Sequence, residues 1–211
     1  MVVIGERTLQ CMSVVIGVCG TNFCTLLSDG RRVTNVNGGG IEPIDEDFQK
    51  IFRINPRVLV GVGGWFDRSE GALDALSELT DLEHASAKIV KNAVVSYCNA
   101  HRGKFPSVRT YIICGKQHDG SFIMYEVKYN VAEGETTVTE RKPDKHHNFG
   151  LSMALPYLPK EIQQNILAYG SKVIIGSRTH EEMVTHMSDL IKEIAKREDS
   201  VNDNIKTLSV F

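Results

Sequence analysis

Two short runs near the start of the chain, Ser13–Cys19 and Phe23–Ser28, are apolar at nearly every position and flank Gly20-Thr21-Asn22. A strand with one wet face alternates apolar and polar residues, whereas a strand covered on both faces does not. The spacing between the runs is that of a tight hairpin, with a further turn at Asp29-Gly30. Such a hairpin belongs in the middle of a sandwich and needs covering layers on both sides. A chain of 211 residues with 42% hydrophobic content can supply them within one domain.

The rest of the chain provides candidate layers. Asn35–Gly40 reads as a glycine-rich loop. Beyond it, the segment from Asp47 to Ile54 and the run from Arg57 to Gly63 form a second strand pair turned at Asn55-Pro56. From Asp67 the period becomes helical through Ala72, Leu73, Leu76 and Leu79, and it repeats over His84–Ala100. Strands return at Val108–Cys114, Phe122–Tyr129 and Glu135–Lys142, with a turn at His118-Asp119-Gly120. Pro159–Tyr169 reads as a helix. Thr179 with Glu182 three residues later caps another, whose buried stripe is Met183, Met187, Leu190, Ile191 and Ile194. A closing strand fits Asn204–Val210. This order predicts an α+β chain, two sheets each covered on its outer side by helices.

Charge excludes some partners. With 24 basic and 26 acidic residues, no electrostatic excess recommends nucleic acid or an anionic membrane. No apolar run reaches the roughly 18 residues that span a bilayer, and the first residues lack the features of a signal peptide, so a cytoplasmic location is expected. Cys11, Cys19, Cys24, Cys98 and Cys114 show no C-x-x-C spacing, and most of them read as reduced, buried, small apolar residues. His146-His147 are adjacent and lack a third ligand at a telling spacing, so no metal site is expected. His180 and His186 read as solvent-facing.

Three segments carry a resemblance to a known family: the hairpin ending in Leu26-Leu27-Ser28-Asp29-Gly30-Arg31, the stretch Asp47-Phe48-Gln49-Lys50-Ile51-Phe52, and Val60-Gly61-Val62-Gly63-Gly64 before a helix. Here the chain resembles the proteasome β-subunit family and its bacterial relative, the peptidase partner of an ATP-dependent unfoldase ring. The likeness is strongest over residues 13–79. It implies a four-layer αββα sandwich of the N-terminal-nucleophile hydrolase type, a polypeptide substrate, no cofactor, a homo- or hetero-oligomeric ring, and an ATP-driven unfoldase as a possible partner.

The resemblance also implies a site. The family nucleophile opens the mature chain about sixteen residues before the aspartate of the second strand, and counting back from Asp29 reaches Ser13. Met12 before it suits methionine trimming, so residues 1–12 are expected to be an extension or propeptide and residues 13–211 the hydrolase domain. An α-amino group titrates near pH 8 and can take a proton from the adjacent hydroxyl. Lys50 matches the lysine beside the nucleophile, and Asp29 the carboxylate that holds it. Gly63 and Gly64 match oxyanion donors. Asp199 and Asn202 stand where the family has an aspartate and a serine supporting the N-terminus, but Asp203 and Asn204 replace the glycines that follow. The family's glycine-serine-glycine turn is sought, with a poor match, at Gly150-Leu151-Ser152.

Plainer readings stand beside these. Ser13 can open a buried strand, Asp29 can form an Asp-Gly turn, and Lys50 can snorkel at a strand edge. Gly61, Gly63 and Gly64 can serve tight packing, and Trp65 and Phe66 can either cap the core or anchor a subunit contact. Two function classes remain open: an amide hydrolase acting through Ser13, and a non-catalytic subunit that shapes a ring wall.

Overall fold

The computed structural model describes residues 13–35, 41–64, 71–102, 108–130, 132–143, 148–156 and 158–211. Strand β1 (Val15–Gly20) and strand β2 (Cys24–Ser28) form the expected hairpin, in register from Val15 opposite Ser28 to Cys19 opposite Cys24. The Gly20 N–H donates to the Phe23 carbonyl at 2.8 Å and closes the turn. Every residue of both strands is buried. The continuous apolar pattern thus has its physical cause: neither face meets water.

A two-stranded ribbon follows, β3 (Arg32–Asn35) with β4 (Ile41–Asp45), then β5 (Ile51–Asn55) and β6 (Val58–Gly64). Helices α1 (Gly71–Ser77) and α2 (Ala87–Ala100) come next. The later strands are β7 (Arg109–Lys116), β8 (Phe122–Asn130), β9 (Glu135–Arg141) and β10 (Phe149–Ala154). Helix α3 (Lys160–Gly176), helix α4 (His180–Ala195) and strand β11 (Lys206–Val210) complete the described chain. One sheet runs β10-β1-β2-β11, and the other runs β5-β6-β7-β8-β9.

Three apolar clusters hold these elements. Val58, Val60 and Val62 of β6 join Tyr111, Ile113 and Val127 against Val90 and Val94 of α2. The intervening Leu59 turns to the other side, where it meets Val15, Leu26, Ile112 and Met124 in a cluster drawn from both sheets. Val14, Ile16 and Leu27 face Met183, Met187 and Ile191 of α4. Period-two alternation therefore sends each strand's residues into two different cores. Where the sheets meet, a Cβ at Gly61 would lie 2.6 Å from Val15 Cγ1, and one at Gly17 would lie 2.6 Å from Ile112 Cγ2. Glycine permits this close approach.

Several boundaries depart from the sequence expectations. The second strand pair starts at Ile51, because residues 46–50 run as an irregular approach to it. The β3–β4 ribbon and β10 carry no strong strand signal. Helix α3 continues seven residues past Tyr169, to Gly176. At α4, Thr179 Oγ1 accepts the Glu182 N–H at 3.1 Å and Glu182 Oε2 accepts the Arg178 N–H at 2.8 Å, so the expected cap forms. Its stripe Met183, Met187, Leu190, Ile191 and Ile194 is buried. His180 corrects an expectation, since its ring lies 2.8 Å from the buried Thr25 Oγ1 and does not point freely to solvent. As the first residue of α4 it meets the β2 strand that this helix covers. Trp65, Phe66, Cys11, His146 and His147 lie outside the described residues.

Candidate active site

Beyond the last ladder pair of the central hairpin, Val14 and Asp29 are joined twice. The Asp29 N–H donates to the Val14 carbonyl at 3.3 Å, and the Val14 N–H donates to Asp29 Oδ1 at 2.9 Å. The aspartate carboxylate thus continues the strand pairing with a side chain. Arg31 N–H donates to Asp29 Oδ2 at 3.0 Å, as expected for an Asp opening a tight turn. Lys50, reaching in from the start of β5, donates to both carboxylate oxygens at 2.7 Å. Asp29 is fully buried and Lys50 is 2% exposed. A buried charge pair is tolerable only when its hydrogen-bonding capacity is met, and here the carboxylate accepts four bonds.

Ser13 sits one residue before this junction, buried, and so adjoins the Asp29–Lys50 pair through Val14. The next residue along β2 from Asp29 is Ser28, whose buried hydroxyl has no hydrogen-bond partner among the described residues. An ammonium fixed at this place favours the deprotonated form of a neighbouring hydroxyl or amine.

The turn behind Asp29 is clamped from two sides. The Phe48 N–H donates to the Gly30 carbonyl at 2.7 Å, and the Gly30 N–H donates to Asn202 Oδ1 at 2.9 Å. The Asn202 amide donates in turn to the Glu46 carbonyl at 2.9 Å and to Glu46 Oε2 at 2.8 Å. Arg31 Nε donates to the same carboxylate oxygen at 3.0 Å. The Arg31 hydrogen bond, assisted by Asn202, holds the Glu46 carboxyl below the usual carboxylate range. Asn204 donates to the Glu46 carbonyl and to Asp47 Oδ1, at 3.0 and 2.7 Å. Asn202 and Asn204 therefore tie the approach to β11 to the approach to β5.

These contacts sort the sequence candidates. Asp29, Lys50 and the backbone of Ser13–Val14 come together, and Asn202 reaches them through Gly30. Asp199 has an exposed side chain and contributes its carbonyl, which accepts Arg31 Nη1 at 2.6 Å. Gly63 and Gly64 end β6, and each has a packing requirement of its own. A Cβ at Gly63 would lie 2.5 Å from the Ala154 Cβ, and one at Gly64, where φ is +105°, would lie 2.5 Å from the Val108 carbonyl oxygen. Ser152 lies within β10, opposite Gly17, and donates to Glu126 Oε2 at 2.5 Å. Sequence reading missed Glu46, for which the acidic run Asp45-Glu46-Asp47 just before Lys50 was the available signal, and it took Asn204 only as a departure from the family's glycines.

Other chemistries find less support. Cys19, Cys24, Cys98 and Cys114 are buried free thiols. A hydrogen bond with Cys24, then burial, raises the Cys19 pKa, and burial lifts Cys98 to about 11. Such thiols are poor nucleophiles. Among the described residues, no group of three His, Cys, Asp or Glu side chains could hold a metal ion. No described helix is long and apolar enough to cross a membrane.

No protein-family model matches the sequence, and no curated protein matches it. Solved structures do. The crystal structure of eukaryotic HslV from Trypanosoma brucei matches with a TM-score of 0.56 at 12% identity, over 93% of this chain and 98% of that chain. At that identity the likeness is one of fold, extending over nearly the full length of both chains.

Proposed function

We propose that this chain is a four-layer αββα hydrolase of the proteasome type that cleaves amide bonds in polypeptides with Ser13, after residues 1–12 are removed. The observation that carries the reading is the buried Lys50–Asp29 pair, anchored to the Val14 N–H one residue from Ser13. The three apolar clusters and the HslV-like fold support the layered arrangement.

In this mechanism the freed Ser13 amine, with Lys50 nearby, accepts the hydroxyl proton as Oγ attacks the substrate carbonyl. The tetrahedral oxyanion takes hydrogen bonds from backbone N–H groups at Gly63 and Gly64. Collapse breaks the C–N bond, the Ser13 ammonium returns the proton to the leaving amine, and an acyl ester remains. Water, deprotonated by the same amine, hydrolyses that ester and restores Ser13. Asn202 and Asp199 act from behind, through Gly30 and Arg31. Neither metal nor organic cofactor is needed. A cytoplasmic ring of copies or relatives, fed by an ATP-driven unfoldase, is the setting this reading proposes.

Intact mass and N-terminal sequencing of the protein from its native source test the reading, together with labelling by an acylating β-lactone. A chain starting at Ser13 that gains one acyl adduct on that residue, and loses peptide hydrolysis on Ser13→Ala, is expected. A mature chain that keeps residues 1–12 and takes up no label would overturn it.

That outcome would favour a second reading, a non-catalytic ring subunit. The packing demands at Gly63 and Gly64 and the exposed Asp199 side chain favour it, because these features need no chemistry to explain them. Asp29 and Lys50 would then serve as a structural latch.

A further inference from the structure

At the Gly20 end of β1, about 20 Å along the strand from Ser13, lies a cavity of about 540 Å³. It opens between the Gly20–Phe23 turn, the α3–α4 junction and Phe211. This volume is typical of small-ligand sites. One wall of it is built with care. His180 Nε2 lies 2.8 Å from Thr25 Oγ1 and 3.3 Å from Ser209 Oγ, and the two hydroxyls are 2.9 Å apart. Thr25 is fully buried. The imidazole is also held edge-on by Phe23 and Phe211, with ring centroids 5.1 and 5.0 Å away. A ring fixed this firmly has one nitrogen committed to hydroxyls, while Nδ1 has no partner among the described residues.

The charges of the cavity define its occupant. Among the described residues, Arg178 and His180 are the ionisable side chains that line it. Burial lowers the proton affinity of His180, so its ring is neutral near pH 7. The Arg178 guanidinium has no acidic partner among the described residues, although its backbone N–H is taken by Glu182. Among the described side chains the wall therefore offers one full positive charge, and Glu181 and Glu182 in the first turn of α4 disfavour a second negative charge nearby. The remaining lining combines the Asn22 and Asn148 amides with aromatic and aliphatic surface.

We propose that this cavity binds a small amphipathic monocarboxylate, with the carboxylate bridging Arg178 and His180 Nδ1–H and the apolar body lying among the phenylalanine rings. This binding mode requires Thr25 to donate to His180 Nε2, with Ser209 donating to Thr25, so that the ring proton lies on Nδ1. A dianionic phosphate would lack a second cation here. A free organic acid and the C-terminal residue of a peptide share the required chemistry.

Calorimetric titration of the full chain with 3-phenylpropionate, its primary amide and N-acetyl-glycyl-phenylalanine tests the site. The acid is expected to bind saturably with Kd below about 1 mM, the amide at least about tenfold more weakly, and Arg178→Gln to weaken the acid by a similar factor. Arg178 is exposed, so that variant should keep the parent melting temperature. Binding of the dipeptide with no binding of the free acid would assign the site to peptide termini, and equal binding would assign it to any apolar carboxylate. Absence of saturable binding by all three probes, equal affinity for acid and amide, or an unchanged Kd in Arg178→Gln would overturn the proposal. Binding should persist in Ser13→Ala, which keeps this test separate from that of the hydrolase reading.

Discussion

Asp29 is a fully buried carboxylate whose bonds reach Val14, Arg31 and Lys50. Removing the lysine leaves that charge stranded. Lys50→Met should therefore cost about 3–5 kcal/mol of folding stability, read from denaturant unfolding, and adding Asp29→Asn should recover a large part of the loss. A single variant within about 1 kcal/mol of the parent would show that the pair is not an energetic unit. The two residues were singled out in the sequence through the family resemblance, each within one of the segments that carry it. Glu46 was not, because an exposed acidic side chain in a loop has no periodicity to betray its partners. Its contacts with Asn202 bridge 156 positions of sequence, which only the folded chain brings together.

Elements were readable where their side chains report the environment. Helix α4 announced itself through its cap and its stripe of five buried apolar residues. Strand β10 did not, since the residues it turns inward are Gly150, Ser152 and Ala154, while Leu151 and Met153 face the helix side. Small residues inside and large ones outside invert the usual strand signal. Strand β4 is mostly exposed and contains Pro43, so it lacks an apolar face altogether. At the start of α4, His180 gives a pH test. Its folded pKa is lowered from 6.5 by burial, so the unfolded chain takes up a proton first as pH falls. Stability should decline as pH drops below about 6.5 and level off once the folded ring also protonates. In His180→Asn that part of the pH dependence should vanish, as measured by melting temperature across pH 5 to pH 8, a window of about three units around the histidine range. An unaltered profile in the variant would assign the dependence elsewhere.

Across the whole molecule, two sheets are drawn together at glycines. A side chain at Gly61 must displace Val15. Gly61→Val should destabilise by about 1–3 kcal/mol through overpacking. Gly176→Ala, at the end of α3 with nothing within 4 Å of the added methyl, should be neutral or stabilising by about 0.5–1 kcal/mol. Urea midpoints with unchanged slopes would check both, and similar effects at the two sites would refute the role given to the seam.

On the hydrolase reading proposed above, the seam would also limit how a polymer meets Ser13. Gly61 packs against Val15 and Gly63 against Ala154, so at these two described positions there is no room for a side chain between the sheets. On that reading a peptide would lie across the rim as an extended ribbon, reading its surroundings from the side like a bead string laid over a sill. Selection among substrates would then depend on the walls that neighbouring surfaces raise around that sill, more than on the depth of any hole within this chain.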